Sequence, residues 1–105
     1  MIEIRQNKEN IDKIEFIARD GEEVLGSCAG SLEGDVFVFD ELECEEFFAD
    51  GLIRAILNLM DLHGIGRARF DLPDKVPLLK KLGFVKDESC EIPDISALFG
   101  DKHCG

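Results

Sequence analysis

The sequence predicts a mixed α/β sheet in one domain, an antiparallel meander followed by an α-β-α-β run. Three patterns predict it. Short apolar alternations parted by glycine-bearing turns fill residues 1–44, a stripe at helical spacing follows, and short strand and helix signals alternate after that. At 105 residues the chain has length for a single core, so residues 1–105 read as one domain, with 88–105 expected to form a loosely attached C-terminal tail.

Each element has its own signal. Met1 to Arg5 alternates apolar and polar as a half-buried strand, and the polar residues 7–10 break it. Ile14, Phe16 and Ala18 give a second strand, Asp20-Gly21 a hairpin turn, and residues 24–29 the return strand, in which Gly26 marks a bulge or a close approach. After the turn Glu33-Gly34-Asp35, the β formers 36–39 open a fourth strand that runs to about Cys44. Phe48, Leu52, Ala55, Ile56, Leu59 and His63 then follow helical spacing. Asp50 is the expected N-cap, with the helix starting at Gly51 or reaching back to Phe48, and Gly64 closes it. Residues 65–72 read as a strand, Asp74 caps a short helix over 75–82, Gly83 stops it, and Phe84-Val85 opens a last strand. Residues 91–100 have room for one helical turn.

Charge and cysteines narrow the function. The net charge is -11, and residues 20–53 hold 11 carboxylates without a Lys or Arg. Such a field repels nucleic acid, excludes a phosphate-backbone partner and favours cationic ones, unless it serves solubility alone. No apolar run approaches the roughly 20 residues that span a bilayer, and the N-terminus has no signal-peptide pattern, so no membrane partner and a cytoplasmic location are expected. Cys28, Cys44, Cys90 and Cys104 show no metal-ligand spacing and read as free thiols; no metal is expected, and His103-Cys104 belongs to the tail. His63, on the apolar stripe near a helix end, reads as structural.

The element order, with GLIRAILNLMDLHGIGRARF followed by LLKKLGF, resembles the GNAT family of N-acetyltransferases over residues 13–86. The family normally carries two helices between its first two strands, where only residues 7–12 are present here, so the chain looks like a trimmed member. The resemblance implies acetyl-CoA as cofactor, its pyrophosphate gripped by a motif Arg/Gln-x-x-Gly-x-Gly/Ala. Laid on FADGLI, that motif puts Phe48 in the Arg/Gln slot, Gly51 in the first glycine slot and Ile53 in the last; only Gly51 matches. The implied cofactor-binding residues are Cys44, Phe48, Ala49, Asp50, Gly51 and Ile53. The family's Tyr acid has Leu79 in its place, and its strand-borne carboxylate base corresponds in position class to Glu41 or Glu43, which otherwise read as solvated carboxylates.

Two functions follow. One is a GNAT-like acyltransferase that moves an acetyl or acyl group from CoA to a cationic amine, with Glu41 or Glu43 removing the proton. The other is a non-catalytic GNAT-fold module without acyl-CoA binding, in which Phe47 and Phe48 serve a binding surface or a homodimer unless they are core. In either case the carboxylates before the long helix are expected to offset its dipole and attract cations at a weakened phosphate site.

Overall fold

The computed structural model describes residues 1–86 and 90–100. Strands β1 (Ile2–Gln6), β2 (Ile14–Asp20), β3 (Glu23–Glu33) and β4 (Val36–Cys44) form the expected antiparallel meander. Helix α1 (Glu46–Leu62) crosses over to β5 (Arg67–Phe70), which lies parallel to β4. A 3-10 turn (Pro73–Lys75), helix α2 (Val76–Leu82), strand β6 (Glu91–Ile92) and helix α3 (Ser96–Gly100) complete a six-stranded sheet in the order β1-β2-β3-β4-β5-β6. Residues 7–13 form a short loop between β1 and β2 with no helix.

α1 packs across one face of the meander through Ala49, Leu52, Ile53, Ile56, Leu57 and Met60, all buried. Phe37 and Phe39 on β4, Phe70 on β5 and Phe84 form an aromatic column on that face; Phe39 stacks on Phe70 with centroids 4.6 Å apart. Gly26 shows why it must be small: a Cβ there would stand 2.3 Å from Cβ of Cys44 on the neighbouring strand.

Four expectations are corrected. α1 begins at Glu46, with Glu45 as N-cap, so Asp50 lies inside the helix and caps nothing. Its carboxylate instead takes Arg54 Nε at 3.1 Å, one turn on. α2 begins after a 3-10 turn, with no side-chain cap from Asp74. Phe84-Val85 is buried but is no strand: Phe84 N–H donates to the Leu79 carbonyl at 3.0 Å and Gly83 N–H to that of Lys80 at 3.1 Å. That pair of bonds closes α2 as a Schellman cap around left-handed Gly83, and the β-forming side chains are spent on the core. Finally, residues 91–99 do not hang loosely. Ile92 and Ile95 are buried, β6 pairs with β5, and Ile95 N–H donates to the Gly66 carbonyl at 2.8 Å. Residues 101–105, with His103 and Cys104, lie outside the described residues.

Candidate functional site at the β4–β5 wedge

Parallel strands that begin together need not end together. β4 and β5 pair only as far as Phe39 and Phe70, and Asp71 N–H makes the last bond, 2.8 Å to the Phe39 carbonyl. β5 then turns away into the 3-10 turn and α2, while β4 continues to Cys44 paired only with β3. The divergence coincides with a bulge: Gly30 faces Phe39 and Ala29 faces Glu41, which leaves Asp40 as the extra residue. The wedge widens into a cleft of ≈ 420 Å³, with Cys44 and Glu46 on one wall and Asp74, Lys75, Pro77, Leu78 and Lys81 on the other.

The N-terminus of α1 opens at this cleft. A single residue, Glu45, separates β4 from α1, and its side chain caps none of the first-turn N–H groups. Those groups carry the positive end of the helix dipole. Lys81 Nζ pairs with Glu46 across the cleft, and Lys75 lies near enough to Cys44 to oppose, in part, the burial that raises its thiol pKa.

The expected site residues divide sharply. Ala49 and Ile53 are fully buried in the core, and Gly51 lies on the sheet side of α1, where an added Cβ would meet Ile4 Cδ1 at 2.8 Å. Phe48 is partly buried against the core, and Asp50 is held by Arg54, whose guanidinium lies 5.3 Å from the centre of the Phe84 ring. These residues are helix, not loop, so the glycine turn that the motif implies has no counterpart here. Cys44 alone of the set lines the cleft. Glu41 and Glu43 are exposed on β4, and Glu41 accepts a bond from Lys13 Nζ at 2.9 Å, with Asp40 bonded to the same ammonium at 3.1 Å. Phe47 is 81% exposed and meets Phe48 edge-on.

Sequence reasoning missed Lys13, Lys75 and Lys81. The last two stand in residues 75–86, which hold Lys75, Lys80, Lys81 and Lys86 and no acid in a chain otherwise rich in acids, and that bias is a usable signal. Lys13 gives no local signal, because its carboxylate partners lie 27 and 28 residues away.

No family model matches the chain, and neither does any curated protein. Solved structures do. The chain is similar to the PaiA N-acetyltransferase from Thermoplasma acidophilum, solved in complex with coenzyme A, at 16% identity and a TM-score of 0.65, over 82% of this chain and 64% of that one. It is similar to the IAA acetyltransferase from Bacillus cereus ATCC 14579 at 14% identity and a TM-score of 0.63, over 81% and 77% of the two chains. A protein from Desulfovibrio desulfuricans described as an acetyltransferase of the GNAT family matches at 9% identity and a TM-score of 0.59, over 71% and 57%. At these identities the likeness is one of fold, and the chain has the fold of the GNAT N-acetyltransferases.

Proposed function

We propose that the chain is an acyltransferase that moves an acetyl or related acyl group from CoA to a cationic amine, with the wedge as its donor site. The separation of β4 from β5 after Phe39 and Phe70 carries this reading. It leaves one edge of β4 over residues 41–44 without a strand partner among the described residues, and an extended segment adds to such an edge through main-chain hydrogen bonds. The pantetheine arm of CoA is a slender chain with two amide groups and suits that edge. A similar structure, that of the Thermoplasma acidophilum protein, holds coenzyme A.

The phosphate end has a grip other than a glycine turn. The uncapped first turn of α1 offers N–H groups, and Lys75 and Lys81 flank it. When bound, acyl-CoA supplies an activated thioester carbonyl. Glu41 and Glu43 stand on β4 next to the wedge, and the role proposed for them is to take the proton of the attacking amine. Surplus carboxylates in residues 20–53 draw a cationic acceptor toward the same strand.

A second reading, a GNAT-fold binding or dimerisation module without acyl transfer, is favoured by exposed Phe47 and by the Lys81–Glu46 pair that spans the cleft. Thermal-shift titration with acetyl-CoA separates the two. The acyltransferase reading expects saturable binding that weakens with salt and falls roughly tenfold or more in Lys75→Ala/Lys81→Ala, since each hydrogen bond to a charged group contributes about 1.5–3 kcal/mol. No binding at millimolar acetyl-CoA favours the module.

A further inference from the structure

Lys13 stands just ahead of β2, and its side chain reaches across the sheet to the bulge of β4. Its Nζ donates to Glu41 at 2.9 Å and to Asp40 at 3.1 Å. Asp40 is the residue directly after Phe39, where β4 loses β5, so this ammonium sits beside the vertex of the wedge. The loop behind it is fixed. Asn10 Oδ1 accepts from the backbone N–H of Asp12 at 3.2 Å and of Lys13 at 3.1 Å, while the Asn7 amide donates to Glu15 at 2.8 Å. A primary amine is thus held in contact with the candidate base, one to two residues past the point where β4 and β5 part.

We infer that Lys13 is an internal acceptor: the chain acylates its own Lys13 from acyl-CoA. This rests on the wedge as donor site and adds the identity of one substrate. In the step, one ammonium proton passes to the Glu41 carboxylate and the Nζ lone pair attacks the thioester carbonyl. The N–C amide bond forms, the C–S bond breaks, and the departing thiolate takes a second proton from the nitrogen. Products are Nε-acyl-lysine and free CoA thiol. The modification removes the cation that Asp40 and Glu41 share and leaves both carboxylates open to an external amine. Hydrogen bonds from Lys13 to Glu41 and then Asp40 raise the lysine pKa, so the reaction speeds up as pH rises toward it.

The test is incubation of the full chain with acetyl-CoA, followed by intact mass spectrometry and peptide mapping, with CoA binding measured in parallel by thermal shift. The expected product carries one acetyl group on Lys13, formed about 10²-fold faster than on Lys8 or Lys86, the scale of general-base assistance. Lys13→Arg, which can still engage both carboxylates, removes it. Glu41→Gln separates catalysis from mere pairing. Toward a small acetylating reagent, N-hydroxysuccinimide acetate, this variant should make Lys13 more reactive, because it loses a partner that holds the proton. Toward acetyl-CoA it should make Lys13 about 10²-fold slower. Faster acylation by acetyl-CoA in Glu41→Gln, or acetyl groups spread evenly over the lysines, overturns the inference. Saturable CoA binding without Lys13 acylation overturns it alone, whereas absence of CoA binding overturns the donor-site reading as well.

Discussion

A methyl group built on Gly51 would stand 2.8 Å from Cδ1 of Ile4, the movable tip of a side chain on the neighbouring sheet. Moving that tip costs little, and Ala in place of Gly in a helix interior returns about 1 kcal/mol. Gly51→Ala is therefore expected to change stability by less than about 1 kcal/mol and to leave CoA affinity unchanged, as measured by urea unfolding and by titration. Loss of CoA binding in this variant would restore the glycine as a phosphate residue. A small residue serves helix–sheet contact as readily as phosphate approach, and this variant separates the two roles. Cys28 supports a second prediction at this scale. Burial raises its thiol pKa in the folded chain, so the folded state keeps a proton that the unfolded state releases. Stability is then full below the ordinary thiol pKa of about 8.5 and falls as pH rises beyond it. Cys44 shifts the same way, Lys13 loses its contribution only above about 10.4, and the chain has no Tyr to titrate in the interval. Unfolding measured from pH 8 to 10 should show that decline, and Cys28→Ala should flatten it.

Helix α1 was legible in its middle and end but not at its start. The apolar stripe places Leu52 and Ile56 in the core, where both are fully buried, and Gly64 closes the helix with left-handed φ as its position suggests. The start was hidden because Glu45 makes no capping bond, so a capping residue inside the helix, Asp50, gave the stronger local signal. Phe84-Val85 misled for a related reason: β propensity is a local preference, and the Schellman cap of α2 had prior use of the Phe84 N–H. β6, two residues long, offers no periodicity to detect. Since Ile56 lies under α1 with no exposure, Ile56→Ala is expected to cost about 2–5 kcal/mol in chemical unfolding. A cost within about 0.5 kcal/mol would place the side chain at the surface.

At the scale of the molecule, the order of elements was readable from turn signals and periodicity, and the right-handed crossover rule supplied the parallel β4–β5 pair. The site was legible only in part. The wedge depends on where two strands stop pairing, and the Lys13 contacts depend on sheet register, neither of which a local pattern encodes. No helix among the described residues is long and apolar enough to cross a membrane, in keeping with the absence of a long apolar run. Acyl-CoA binding at the wedge where β4 parts from β5 is tested by an NMR titration of labelled protein with CoA. Saturable amide shifts are expected, concentrated at Cys44, Glu46, Phe47, Lys75 and Lys81, with an affinity roughly tenfold or more weaker in Lys75→Ala/Lys81→Ala. Absence of shifts at millimolar CoA, or shifts confined to residues away from the wedge such as Ile92 and Leu98, would contradict it.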